Sequence, residues 1–221
     1  MPIAATGLHP GSADCGTIAA LAASDGCASH PQIVRLTAPD CAGRDLADAV
    51  HVLCAVHGRT GNLFDAAARN AGATAAPSWI TDSSAAYAGE RAYLASLTAA
   101  VGPLPSTPGQ PQSDSAFAAL RHAFDTLAES GRTGCAAGAA IALLIDWQTF
   151  RRVLDAAAAR VGMDVPPNRL HDVAATMRID TVGESSPGLL RAMRFGAQQA
   201  LAQHRGMVDL IAARASARDA H

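Results

Sequence analysis

Two histidines and two carboxylates occupy helix positions at which an apolar side chain is expected. His57, Glu90, Asp146 and His204 each fall on the apolar side of a different predicted helix when residues are phased at about 100° apiece. A buried charge without a partner is very costly, so these side chains must find partners in the interior. The sequence therefore predicts a polar site in the protein core.

Two imidazoles and two carboxylates form a suitable ligand set for iron, manganese or zinc. Helical bundles build such centres from side chains on facing helices, and open coordination positions suit oxidative or hydrolytic chemistry on a small substrate. We expect Arg121 and Gln198, which flank the apolar faces, to orient the ligands or to contact a small molecule, with Arg121 placed to pair with Glu90. Haem bound by His57 and His204 is a further alternative.

The same four side chains can instead form a hydrogen-bonded network with neither metal nor catalysis. The protein would then be a non-catalytic module whose exposed helix faces bind a protein partner or a second copy of the chain. Both hypotheses remain open at the level of the sequence.

Three other ionisable residues are expected to face solvent. Asp48 and His51 are three residues apart on a helix but point away from its apolar face, which predicts a solvated pair. His122 projects opposite the main apolar face of its helix, which predicts a surface histidine. The Glu-x-x-His pattern of ferritin-like metal sites does not occur.

Composition excludes several classes of function. The chain has no lysine, which rules out the phosphate-binding lysine of a P-loop and the Schiff base of pyridoxal phosphate enzymes. A formal net charge of −2 with no basic stripe argues against nucleic acid and anionic membranes as partners. The five cysteines are odd in number and none are spaced C-x-x-C, which disfavours disulfides and zinc knuckles.

Location is predicted from two further features. The first seven residues lack the charged and apolar regions of a signal peptide. The longest apolar run, residues 134–145, is too short to cross a bilayer. We therefore expect a cytoplasmic protein.

Many alanines and few β-branched residues favour an all-α fold over a sheet. The pattern of apolar residues, glycines and prolines predicts one domain over residues 1–221, with a frayed tail at 215–221. Four long helices with short connections predict an antiparallel up-down bundle, to which additional short helices are added. The predicted helices cover approximately residues 12–24, 43–57, 63–69, 79–101, 113–130, 135–161, 166–177 and 187–214.

Glycine and proline mark the connections. Residues 103–111, PLPSTPGQP, predict a stiff loop, because proline cannot continue a helix. Gly134 and Gly138 lie four residues apart, which predicts a close approach of two helix backbones.

Two segments carry a resemblance to a known family. Residues 89–110, GERAYLASLTAAVGPLPSTPGQ, and residues 195–206, FGAQQALAQHRG, resemble a family of helical bacterial proteins of unknown function. The resemblance covers most of the chain. It implies no activity and assigns no catalytic residue, so the site hypothesis depends on the residues alone.

Overall fold

The computed structural model describes residues 11–58, 63–70, 78–170 and 186–220, with side chains from residue 18 onward. Every regular element in these ranges is a helix, so the all-α prediction is confirmed there. None of these helices has an apolar stretch long enough to cross a membrane. The end of the helix predicted over 166–177 lies outside the described residues.

Eight helices are present in the described ranges, and most of their ends lie within about two residues of the predicted ends. They are α1 (Gly11–Asp25), α2 (Pro31–Leu36), α3 (Gly43–His57), α4 (Leu63–Arg69), α5 (Ser78–Ala100), α6 (Gln110–Ala128), α7 (Cys135–Val161) and α8 (Pro187–Asp219). Gly162, at φ 66°, ends α7 in the left-handed conformation that glycine tolerates best. The Ser186 hydroxyl accepts a hydrogen bond from the Leu189 amide and caps α8.

One helix and two helix ends differ most from the prediction. Helix α2 was not expected, because His30-Pro31 indicates a break; instead His30 caps it by accepting a hydrogen bond from the Gln32 amide, with Pro31 in its first turn. Helix α6 begins at Gln110, inside the expected loop, since Pro111 in its first turn needs no amide partner. The frayed tail is wrong for residues 215–219, because α8 continues to Asp219.

Helix α7 is the centre of the protein. It packs against each of the other seven helices, and most extensively against α8. Its residues are buried on nearly every side, from Cys135 to Ala158. A helix that is apolar around most of its circumference has to be surrounded in this way.

The crossing of α7 and α8 is made by glycines. At Gly138 an added Cβ would clash with the backbone of Met193, and at Gly196 it would clash with the Cys135 carbonyl. The close backbone approach predicted at Gly134 and Gly138 is therefore confirmed. It sets the rotation of α8 against α7, and hence the neighbours of every α8 side chain.

Candidate functional site

His57 and His204 meet in the interior although they are 147 positions apart in the sequence. His57 is the last residue of α3, and His204 lies in the middle of α8. Their ring centroids are 5.3 Å apart with an interplanar angle of 60°. The two residues are 1% and 0% exposed, so the imidazoles lie in a region from which bulk water is excluded.

Aromatic side chains surround this histidine pair. Phe124 of α6 lies 5.3 Å from the His57 ring and 5.2 Å from the His204 ring, measured between centroids. From α7, Trp147 packs edge-on against His57 at 5.3 Å, and Phe150 packs against His204 at 4.9 Å. The surroundings are apolar, so polar atoms of the pair must be satisfied within a small set of groups.

Asp146 holds one side of His204. Its Oδ2 lies 2.8 Å from Nδ1 of His204, and its Oδ1 accepts the Cys27 amide at 2.9 Å. Burial alone would raise the pKa of Asp146, but the hydrogen bond and charge of His204 lower it below its usual value. An ionised carboxylate only accepts hydrogen bonds, so Nδ1 of His204 carries the proton. This assignment of the Nδ1 proton holds for the charged and the neutral ring alike, and Nε2 has a lone pair only when the ring is neutral.

Tyr87 holds one side of His57 in a comparable way. The phenol oxygen lies 3.1 Å from Nδ1 of His57, and it acts as donor or acceptor according to the tautomer of the ring. Burial, and then the charge of His204, hold the pKa of His57 well below 6.5, so this imidazole is neutral at physiological pH. Burial also raises the pKa of Tyr87, which keeps its phenol protonated.

Both Nε2 atoms of the histidine pair remain without a hydrogen-bond partner. Each is buried, and neither has a hydrogen-bond partner among the residues that the structure describes. Most buried polar atoms in proteins are hydrogen-bonded, so an unpaired pair of ring nitrogens calls for an explanation such as an ion, a water molecule or a catalytic role. Within the described ranges, these two atoms are adjacent buried nitrogens that could coordinate a ligand.

Glu90 is buried but belongs to a separate pairing. Its Oε2 accepts the indole N–H of Trp147 at 2.9 Å, and its Oε1 accepts from Arg151 at 2.6 Å. Arg151 also donates to Asp155 and to the carbonyl of Pro166. Both oxygens of Glu90 are therefore occupied, and Glu90 adjoins the histidine pair only through Trp147.

The two expected orienting residues do not reach the histidine pair. Arg121 donates to the Ala55 carbonyl at 3.1 Å instead of pairing with Glu90, which corrects that expectation. Gln198 is exposed on α8. The structure thus brings His57, Asp146 and His204 together, places Glu90 next to them and leaves Gln198 outside.

Sequence reasoning missed the groups that do hold the site. Trp147 and Arg151 are four residues apart and share one face of α7, a spacing that could have indicated a joint role toward Glu90. Helical phasing places Tyr87 on the apolar face of its helix, where it could line a pocket, but gives no sign of its hydrogen bond with His57. The main-chain amide of Cys27 leaves no signal in the sequence at all.

Asp48 corrects a further prediction, because it is fully buried and not solvated. Arg214 binds it through Nε and NH2, with its NH2 at 2.7 Å from Oδ1, and Arg218 lies 2.8 Å from its Oδ2. His51 is half-buried and lies 2.8 Å from the Gly102 carbonyl, so it forms no pair with Asp48. His122 is exposed, as predicted.

Over the described ranges, no three or more His, Cys, Asp or Glu side chains are grouped so that they could hold a metal ion. The carboxylates of Glu90 and Asp146 are both engaged by other partners, so a centre of four protein ligands is not assembled. What the histidine pair offers is two imidazole nitrogens with their opposite ring nitrogens already held.

The fold and this histidine pair define a helical protein with a buried, incompletely satisfied polar core. The chain belongs to the family of unknown function DUF6975, whose sequence model matches residues 22–219. The matched region contains both histidines, Tyr87 and Asp146. Comparison with curated proteins and with solved structures found no match.

Proposed function

We propose that the protein binds one transition-metal ion in its core, between Nε2 of His57 and Nε2 of His204. The observation that carries the proposal is that these two buried nitrogens lack any hydrogen-bond partner on rings only 5.3 Å apart. Ligands on one ion at ~2.0–2.1 Å each lie within about 4 Å of one another, a separation that neighbouring rings can reach.

The ligand types favour zinc or copper over iron and manganese. Imidazole nitrogen suits zinc and copper, whereas manganese prefers oxygen ligands and the non-haem iron centre needs a carboxylate. Each oxygen of Glu90 and Asp146 already has a hydrogen-bonding partner, and in the described ranges no carboxylate is grouped with both histidines so that the three could hold a metal ion. The edge contact between the two imidazoles also leaves no gap for a porphyrin ring, so haem is not part of the proposal.

The chain's own residues would prepare the two nitrogens for this role. Asp146 keeps the proton of His204 on Nδ1, which directs the lone pair of Nε2 away from the carboxylate and increases its basicity. Tyr87 can do the same for His57 by accepting the proton of Nδ1. Phe124, Trp147 and Phe150 exclude water and strengthen electrostatic interactions inside the site.

With only two protein ligands, the remaining coordination positions are open to a small molecule. A bound zinc ion supplies Lewis acidity for hydrolysis, and a bound copper ion supplies electron transfer for oxidation. We retain as parts of this proposal a cytoplasmic, single-domain protein whose four long helices, α5 to α8, run up and down as an antiparallel bundle.

Metal binding by purified, metal-free protein tests the proposal. We expect one Zn²⁺ or Cu⁺ per chain in chelator competition, with affinity reduced by at least about 100-fold in His57→Gln and His204→Gln. His51→Gln and His122→Gln are the matched controls, since these histidines lie outside the core, and they should bind as the wild type does. Circular dichroism checks that each variant folds.

X-ray absorption of the metal-loaded wild type provides a readout that does not depend on a variant. Two imidazole nitrogens in the first coordination shell are expected. Failure to bind either metal, equal affinity in His204→Gln, or a spectrum without imidazole ligands would overturn the proposal.

A second candidate is a non-catalytic interaction module that forms a homodimer. Phe195 on α8 is 42% exposed and borders a groove of about 230 Å³ between α6 and α8, with the Arg132 guanidinium 5.4 Å from its ring centroid. An exposed aromatic beside a groove is typical of a protein contact. Light scattering of wild type and Phe195→Ser decides this: a dimer that the substitution dissociates supports it, and a monomeric wild type excludes it.

A further inference from the structure

A surface pocket of about 530 Å³ differs in its chemistry from the surroundings of the histidine pair. Arginines and hydroxyl groups line it, and no aromatic residue does. It is formed by the proline-rich loop, the first turn of α3 and the last turn of α8. The lining residues are Arg44, Pro105, Ser106, Thr107, Pro108 and Arg218. The volume is in the range of small-molecule sites.

Arg218 is a buried and preorganised part of this pocket. The residue is 8% exposed, and its guanidinium is held by Asp45 at 2.8 Å, Asp48 at 2.8 Å and the Thr107 hydroxyl at 3.0 Å. Its Nε, which is also buried, has no hydrogen-bond partner. A guanidinium fixed in this way presents positive charge without the entropic cost of ordering a flexible side chain.

The network of ion pairs around the pocket carries one net positive charge. The connected network contains four arginines and three aspartates, namely Arg35, Arg44, Arg214 and Arg218 with Asp45, Asp48 and Asp219. Asp48 is held by the buried Arg214 and Arg218, whereas Asp45 is shared by Arg218 and the partly exposed Arg35. At the exposed edge of the network, Arg35 and Arg44 share Asp219 alone, so the net positive charge lies on that edge.

Arg44 is available to a ligand. Its side chain is 55% exposed, and its one ion pair is with Asp219, itself 46% exposed, at 2.6 Å. An exposed pair of this kind contributes little stability, so a ligand can replace Asp219 at low cost. The same contact shows that the Arg44 guanidinium can bind a carboxylate.

Helix α3 adds to the positive potential. Arg44 lies in its first turn, and the N-cap residue Ala42 has no side chain that can bind the free amides there. The acidic residue of that turn, Asp45, is neutralised by Arg35 and Arg218. The N-terminal end of a helix favours an anion.

We propose that this pocket binds the carboxylate of a small organic acid, with Arg44 and the Ser106 hydroxyl contacting the carboxylate and Pro105 and Pro108 contacting the apolar part. A monocarboxylate matches the single surplus charge, whereas a phosphate group carries nearly two negative charges. This site is independent of metal binding in the core.

Benzoate is the probe, with benzamide as its neutral counterpart. By calorimetry on the full chain, we expect saturable benzoate binding with a Kd on the order of 1 mM and at least tenfold weaker binding of benzamide. Arg44→Gln should weaken benzoate binding about tenfold or more, since it removes a charge-assisted contact. Arg152→Gln, on the exposed side of α7, is the matched control and should bind as the wild type does.

Three outcomes would overturn the proposal: no benzoate binding, equal binding of benzamide, or unchanged affinity in Arg44→Gln. Inorganic phosphate forms a separate arm. If the wild type binds phosphate but not benzoate, and Arg44→Gln loses the phosphate binding, the pocket is a phosphate site and the carboxylate assignment is wrong. Because Arg44 is exposed and its substitution leaves the buried pairs intact, a folding failure is not expected, and circular dichroism verifies this.

Discussion

Asp146 and His204, 58 residues apart on α7 and α8, form a fully buried contact in which Oδ2 lies 2.8 Å from Nδ1. The contact defines which nitrogen of His204 carries the proton, because an ionised carboxylate can only accept. It therefore leaves Nε2 of His204 beside the ring of His57, buried and without a hydrogen-bond partner among the described residues. The proposed metal site depends on this relationship.

Substitution of Asp146 by asparagine should weaken metal binding by about 10–100-fold without removing a metal ligand. Asparagine no longer holds the proton on Nδ1 by charge, and the basicity of Nε2 falls. Zn²⁺ competition with a chromophoric chelator measures the change. Asp209→Asn is the control, because Asp209 is an exposed carboxylate of α8 that pairs with His30 on the surface. Unchanged affinity in Asp146→Asn would mean that the contact between Asp146 and His204 does not contribute to metal binding.

The free energy of unfolding of metal-free protein should fall as the pH decreases below about 6.5. Burial and the charge of His204 lower the pKa of His57 well below 6.5, so in this window the unfolded chain takes up a proton that the folded chain does not. This residue contributes a slope of at most about 1.4 kcal/mol per pH unit. Urea titrations at several pH values from about 5 to about 7 give the free energy of unfolding. Its slope against pH should be smaller in His57→Gln than in the wild type. The exposed His122→Gln should retain the wild-type slope, and an identical slope in all three proteins would contradict the assignment.

Alanine at Gly138 should destabilise the protein by about 3 kcal/mol or more, since the added methyl group meets the backbone of Met193, which cannot move aside independently of α8. Gly206 is the matched control on α8, because nothing lies within contact of a Cβ there. Gly206→Ala should stabilise the protein by about 0.5–1 kcal/mol through its better helix propensity. Chemical denaturation measures both. Similar effects at the two positions would mean that the α7–α8 crossing is not as close as described.

Neutralising Asp48 should cost about 3–5 kcal/mol, because Asp48→Asn leaves Arg214 and Arg218 buried with too little negative charge. Asp219→Asn, which affects only exposed ion pairs, should cost at most ~1 kcal/mol. A double-mutant cycle of Asp48→Leu and Arg214→Met tests the coupling: the double variant should lose less stability than the sum of the two single losses. Additive losses in the cycle would indicate that the pair is not coupled.

Local chemistry made most of the helix ends predictable. Gly162, Ser186 and Pro187 act through their own backbone conformations or hydrogen bonds within one turn, and the ends near them are as predicted. The end of α8 is different. Its last turn is stabilised by Arg214 and Arg218 binding aspartates of α3, which are remote in the sequence, and so residues 215–219 are helical where fraying was expected.

The burial of Asp48 was mispredicted for a comparable reason. Helical phasing assumes one apolar face and one solvated face, but α3 packs against α5, α6, α7 and α8. Nearly all of its residues from Asp45 to Leu53 are buried as a result. A helix surrounded on several sides buries its polar residues too, and it needs partners from other helices to do so.

By itself, the sequence determined that the chain is helical over the described ranges, where most of the helices end, and that His57, Glu90, Asp146 and His204 point inward. Each of these follows from interactions within a few residues, or from the periodicity of one helix. Only the tertiary structure decided that Asp146 contacts His204 and that the two imidazoles adjoin. It also decided that Glu90 accepts hydrogen bonds from Trp147 and Arg151. Those pairings depend on how each helix is rotated against its neighbours, and the glycine contact between α7 and α8 sets that rotation through atoms distant in the chain.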